Sequence, residues 1–194
     1  MVSIDRLEKV ASVIKNIEAK STLDIGCKNK ELKKYLPNFK YLGIDISPAA
    51  DIKLNLNKVN KLPLKSNSFD VVVLSAILEH LFYPQMILKE AIRISKKYLI
   101  ISLPNDFAYA LRLNYLLGRS HLTYQEFGHK GVMSIDQMES FLQLDKNKIS
   151  IIDRWYEPPL LRIFGVYLPK GFVQFFANIY PKLFANEVFF LCEK

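Results

Sequence analysis

Glycine and cysteine are scarce in this chain. Seven glycines in 194 residues form no G-x-G-x-x-G turn, and that absence removes the fingerprint of the nicotinamide-dependent oxidoreductases. The two cysteines, Cys27 and Cys192, stand far apart. They make neither a disulfide framework nor a thiolate metal site, so no metal is expected, and a reducing, cytoplasmic compartment is. Prolines and charges interrupt every apolar stretch before the ~20 residues that a membrane-spanning helix needs. No lysine run exceeds two, and there is no internal repeat, low-complexity tract or linker. The lysines, such as Lys33-Lys34, Lys58, Lys61 and Lys96-Lys97, scatter over turns and helix faces. They read as a solvated surface, which argues against a nucleic-acid partner. The formal net charge of +8 still favours an anionic partner, either a phosphate-bearing substrate or a membrane surface. Nothing in the sequence specifies an oligomeric state.

What is present is apolar. Half the residues are hydrophobic, enough at this length to bury the core of one α/β domain. Ile4, Leu7, Val10, Ala11, Ile14 and Ile17 fall at helical spacing with charges between them, so residues 4–19 read as an amphipathic helix on the sheet and not as an export sequence. Strands are predicted at 22–25, 40–45, 52–56, 69–75, 98–103, 149–156 and 187–192, and further helices at 30–36, 85–94, 106–117 and 134–144. Such alternation implies right-handed crossovers and a mostly parallel sheet. The expected layout is one domain: an N-terminal helix (1–20), a core (21–156), an aromatic-rich insertion (157–186) and a last strand (187–194).

Three apolar runs end in groups suited to a ligand. Thr22-Leu23-Asp24-Ile25-Gly26-Cys27 delivers a carboxylate and a bare backbone at a strand end. Ser68-Phe69-Asp70-Val71-Val72-Val73-Leu74-Ser75 is a second buried strand, and it opens into Glu79-His80. Tyr41-Leu42-Gly43-Ile44-Asp45 ends nineteen residues beyond Gly26, a spacing that suits a carboxylate accepting from both hydroxyls of an adenosine ribose. Asp70 starts its strand and is read as structural.

Taken in order, LDIGCKNK (23–30), YLGIDIS (41–47), LPLKSNSFD (62–70) and ILEHL (77–81) resemble the small, type 11-like class I methyltransferases that use S-adenosylmethionine. In that family the segments run roughly LDIGCGxG, an acidic strand end, LPF-x-x-x-SFD and LEHL. Ala91 to Asn105 extends the likeness through a helix, a strand and a strand-end Pro-Asn, so that it covers about residues 20–150. It implies a Rossmann-like, doubly wound sheet of seven strands with an antiparallel last strand, and S-adenosylmethionine as cofactor. Asp24, Gly26 and Cys27 would then lie under the methionine end, with Asp24 ordering the loop amides. Asp45, with Ile46 beside it, would hold the ribose; Asn55 and Leu56 would face the adenine, and Ser75 and Ala76 would line the floor. Cys27 is read as a small residue that fits, not as a nucleophile.

Two departures stand out. Lys28 and Lys30 replace the family's last two glycines, where the turn calls for positive φ and close backbone approach. The Lys28 side chain either points outward or blocks the pocket. Asn55 replaces an acidic residue, and its carbonyl can still accept from the adenine amino group. These departures leave a second reading, a catalytically degenerate scaffold that acts as a binding or regulatory protein.

Methyl transfer requires alignment and, for some acceptors, a base. The candidates are His80 and His129, because imidazole takes up a proton near neutrality; His80 could instead cap the following helix, with Glu79 orienting it. His121 is a weaker candidate. Between Pro158 and Phe190 the chain is dense in Leu, Phe and Tyr. This segment either packs on the domain as a lid or rests peripherally on the inner membrane face. The implied acceptor is a small molecule or an amphiphile such as a lipid-linked glycan.

Overall fold

Runs that are apolar on consecutive residues form strands only where both faces of a sheet are covered. The computed structural model of the chain, which describes residues 3–118, 128–131, 134–142, 149–155, 162–163, 166–167, 175–176, 179–185 and 187–194, bears this out. Seven strands form one sheet: β1 (Ser21–Ile25), β2 (Lys40–Asp45), β3 (Ile52–Lys53), β4 (Phe69–Ser75), β5 (Ser95–Pro104), β6 (Ile149–Trp155) and β9 (Glu187–Glu193). A two-stranded ribbon, β7 (Arg162–Ile163) with β8 (Val166–Tyr167), stands apart from it. The sheet order is β3-β2-β1-β4-β5-β9-β6. The first five strands pair in parallel, while β9 runs antiparallel between β5 and β6.

The period of two along each central strand divides the core. Leu23, Ile25, Val72, Leu74, Leu99 and Ile101 face one side, where α2 (Pro84–Ile94) and α4 (Ile135–Leu142) cover them with Ile87, Leu88, Ala91, Met138 and Leu142. Val71, Val73, Ile100 and Phe189 face the other, under Val10, Ala11 and Ile14 of α1 (Ser3–Asn16) and Leu32 and Leu36. α2 starts with Pro84 in its first turn, where proline's missing N–H costs nothing. The remaining helices are α3 (Tyr109–Leu116) and α5 (Pro181–Phe184).

Local chemistry explains where element ends differ from expectation. Residues 30–36 form a 3-10 turn over Glu31–Tyr35 entered from a left-handed Lys30, a tighter winding than the expected α-helix. The strand expected at 52–56 stops at Lys53, because Asn55 caps a 3-10 turn by accepting from the Asn57 amide. α1 ends at Asn16, and Glu18 then takes a φ of 53°. α3 begins three residues late: the Asn105 side chain accepts from the Phe107 amide and donates to the Ala185 carbonyl at 2.7 Å, tying the end of β5 to the segment before β9. His121 and most of the expected 157–186 insertion lie outside the described residues.

Asp70 pins the first strand of the doubly wound half. One oxygen accepts from the Lys20 and Ser21 amides at 3.0 and 2.9 Å, and the other from Lys96 Nζ at 2.8 Å. Burial opposes ionisation, but the bonds from Lys96, Ser21 and Lys20 prevail and hold the carboxyl at about 2. A depressed folded-state pKa stabilises above the unfolded value and loses that contribution as pH falls through the folded one. Asp70→Asn is therefore expected to cost about 1–2 kcal/mol at neutral pH. The cost should shrink as urea denaturation is repeated toward pH 3; one that stays constant with pH would refute the assignment.

Candidate functional site

The strand order reverses between β1 and β4, and the carboxyl ends of these strands open a crevice, the usual ligand position in a doubly wound sheet. A cleft of about 230 Å³ lies there. Asp24, Gly26, Cys27, Ser75 and Ala76 all line it, so the structure brings five of the expected residues together. Its other wall comes from α1, through Arg6 and Leu7.

The loop after β1 keeps its shape without its glycines. Gly26, Lys28 and Lys30 take φ values of 84°, 47° and 57°, so both lysines adopt the left-handed conformation that the replaced glycines would reach freely. This costs about 1 kcal/mol or more for each. The cost is offset by anchoring. The Gly26 and Cys27 amides donate to the Ile44 carbonyl at 2.8 and 3.3 Å, and the Lys28 amide donates to Asp45 Oδ2 at 2.9 Å. Lys30 Nζ reaches Asp51 Oδ1 at 2.7 Å, and Asp51 Oδ2 accepts from the Gly43 amide at 2.8 Å. Lys28 is exposed and lines the cleft. Gly43 must lack a Cβ, since one would stand 2.6 Å from Cys27 Sγ.

Asp45, at the tip of β2, is only 8% exposed. Its second oxygen accepts from the Ser47 amide at 2.8 Å. Each carboxylate oxygen accepts one of these bonds and retains capacity for a second, and Asp45 itself lies outside the cleft lining. Ile46 next to it is 62% exposed, an uncovered apolar side chain at the crevice edge. Asn55 spends its side-chain oxygen partly on its own turn, and Leu56 is buried; neither lines the cleft. Asp24 departs from its expected role, because the loop amides are held by Ile44 and Asp45. It accepts instead from Tyr41 Oη at 2.6 Å. Burial pushes the Asp24 carboxyl up to about 6, against the Tyr41 bond and with a further push from Asp45. Burial, with Asp24, Asp45 and Asp51 nearby, pushes the Cys27 thiol up to about 12. A thiol so held is inert, as expected of a residue that simply fits.

His80 and His129 meet at the outer end of the crevice, their rings edge to face with centroids 5.0 Å apart. The Lys130 amide donates to the Glu79 carbonyl at 2.7 Å and draws the 128–131 segment alongside the Leu78–His80 turn. Asn57 braces that turn, its side-chain oxygen accepting from the Phe82 amide at 2.8 Å. His80 is not spent on the following helix, which begins without a side-chain cap. Burial holds the His80 imidazole below its ordinary pKa, against a hydrogen bond to the Gly128 backbone and with help from Lys28 and Lys130. Glu79 is 3% exposed, and burial pushes its carboxyl up to about 7.

Four contributors were not foreseen from sequence: Tyr41, Asp51, Arg6 and Ile77. Tyr41 precedes Gly43 by two residues on the same face of β2, and Gly43 pairs with Asp24. Strand register was therefore the available signal. Arg6 and Ile77 carried none.

A family model for the methyltransferase domain matches residues 23–101. No curated protein matches the chain. Among solved structures, an S-adenosylmethionine-dependent methyltransferase from Archaeoglobus fulgidus is 18% identical, with 97% of this chain and 94% of that one covered, at a TM-score of 0.62. One from Thermotoga maritima, described as a possible histamine N-methyltransferase, is 17% identical over 97% and 91% at 0.61. The YcgJ protein of Bacillus subtilis is 14% identical over 98% of each chain at 0.63. At such identities the likeness is one of fold.

Two substitutions probe this geometry. A Cβ on Gly26 would stand 2.5 Å from Ile77 Cγ1 at a φ of 84°, so Gly26→Ala should lower stability by roughly 2–3 kcal/mol in urea denaturation. An unchanged midpoint would contradict the tight turn. A folded-state pKa raised above the unfolded one stabilises below the unfolded value, and that contribution is lost as pH rises through the folded one. The melting temperature of Asp24→Asn should thus gain on that of the parent protein between about pH 4 and about pH 7; a difference independent of pH would show that Asp24 does not titrate there.

Proposed function

We propose that this chain is a class I S-adenosylmethionine-dependent methyltransferase, a reading supported by the methyltransferase-domain match over residues 23–101 and by the shared fold, and that the crevice beyond β1 and β4 binds S-adenosylmethionine and transfers its methyl group to a small-molecule or lipid-linked glycan-type acceptor. The observation that carries this reading is Asp45, a buried carboxylate fixed by two backbone amides with lone pairs left for a ribose. The bound cofactor supplies an activated methyl group on a sulfonium, so the protein's task is mainly alignment.

The residues present suit that cofactor. Ile46, exposed beside Asp45, would offer an apolar face for the adenine. Gly26 and Cys27 present backbone to the methionine end, above a floor of Ser75 and Ala76, with Asp24 beneath. Arg6 adds a group not expected from sequence: it lines the cleft, and its buried Nε has no hydrogen-bond partner among the described residues. A carboxylate such as the cofactor's would satisfy it.

The acceptor side combines Phe82 and Tyr83, both largely exposed, with the positive potential of Lys28 and Lys130 around His80. An apolar body with an anionic or hydroxylated head fits these neighbours. His80, held neutral at physiological pH, or His129 beside it, would take the proton from such an acceptor. Phe175, Ile179 and Tyr180 also face solvent, which supports a peripheral seat on an anionic membrane. No helix among the described residues is long and apolar enough to cross one.

Calorimetric titration with S-adenosylhomocysteine tests the reading. The parent protein should bind in the micromolar range, and Asp45→Asn, which keeps one acceptor oxygen for the loop, should bind about tenfold more weakly or worse. Undiminished affinity in the variant would remove Asp45 from the site. No binding by the parent protein would favour the degenerate scaffold.

A further inference from the structure

Glu79, His80 and His129 come from a 3-10 turn and from a loop 49 residues away, yet each offers one ligand atom within 4.8 Å of the other two. We propose that these three side chains bind a divalent transition-metal cation, Zn²⁺ or Mn²⁺, at the acceptor end of the crevice. The proposal extends the methyltransferase reading, on which it rests only for the ion's role.

Three observations point to a cation. Glu79 is 97% covered, and its Oε2 has no hydrogen-bond partner among the described residues, an arrangement that leaves a buried acceptor unsatisfied unless something cationic or protonated meets it. His80 is hydrogen-bonded to the Gly128 backbone. Such a bond fixes the imidazole's tautomer and orientation and leaves its other nitrogen as a lone-pair donor, the support that metal-bound histidines usually have. The cluster is also braced on both sides, through the Lys130 amide on the Glu79 carbonyl and Asn57 on the amide after Leu81.

Donor chemistry selects the class of ion. Two imidazoles and one carboxylate suit zinc or manganese better than magnesium or calcium, which prefer all-oxygen sets. Tetrahedral bonds of about 2.1 Å place donors about 3.4 Å apart, so closing from separations of up to 4.8 Å takes side-chain rotations of about an ångström. Three protein ligands leave coordination positions open. An acceptor hydroxyl in one of them would become more acidic and release its proton to solvent without either histidine acting as base. Lys28 and Lys130 place positive charge near His80, so the site depends on the Glu79 carboxylate. The expectation that no metal is involved rested on cysteine spacing alone; this site uses none.

The test is calorimetric titration of EDTA-treated, then dialysed, protein with zinc chloride, alongside separate titration with S-adenosylhomocysteine. The parent protein should bind about one equivalent of zinc, and Glu79→Gln and His129→Gln should each weaken that binding about tenfold or more. Absence of stoichiometric binding, or binding unchanged in both variants, overturns the proposal. Should a variant fail to fold, proton resonances of the parent protein with substoichiometric Mn²⁺ decide: broadening centred on His80 and His129 supports the site, and broadening centred elsewhere overturns it. Zinc binding without S-adenosylhomocysteine binding would leave the metal site standing and remove the methyltransferase role; the converse would remove only the metal.

Discussion

The loop after β1 is held by the strand beside it. Consecutive amides from Gly26 to Lys28 donate to Ile44 and Asp45, so the ligand-facing backbone is shaped by the end of β2 and not by its own residue types. This docking makes two lysines tolerable at left-handed positions. A strained backbone persists only where its surroundings over-determine it. Here the surroundings are a carbonyl, two carboxylates and the Lys30–Asp51 pair, and the same contacts fix the Asp45 side chain at the tip of β2.

That anchoring has an electrostatic cost. Asp24, Asp45 and Asp51 converge on one loop; Asp45 adds to burial in raising the pKa of Asp24, and all three add to burial in raising that of the Cys27 thiol. Tyr41 and Lys30 relieve part of it locally. Around His80 the sign is reversed, with Lys28 and Lys130 supplying positive potential. The crevice therefore runs from an acidic inner end to a basic mouth. Such a gradient favours one orientation of a zwitterionic ligand along the crevice.

Much of this was legible in sequence, for identifiable reasons. Strands whose residues are apolar on both faces announced themselves by composition, and Asp45 by its distance from Gly26. The positive φ of Lys28 and Lys30 was not legible, because residue type argues against it and only tertiary bonding reverses the argument. Asn55 was expected to face the adenine; its use as a cap, away from the cleft lining, left no mark in the sequence. The Tyr41–Asp24 bond needed the β1–β2 register. The meeting of Glu79 and His80 with His129 needed the segment at 128–131 to be drawn in, as by the Lys130 amide, and such a bond leaves no mark on composition or period.

The position of β9 bears on how the molecule is made. It lies between β5 and β6, with Phe189 and Phe190 on opposite faces of the sheet and both covered. Of the seven strands it leaves the ribosome last. Until it arrives, β5 presents an open edge of unpaired amides and carbonyls, and β6 has no neighbour in the sheet. Between the making of β6 and that of β9 the nascent chain therefore carries two adhesive edges, a state in which strand exchange with another copy competes with completion. A chain that stopped before Glu187 would lack the strand that joins β5 to β6.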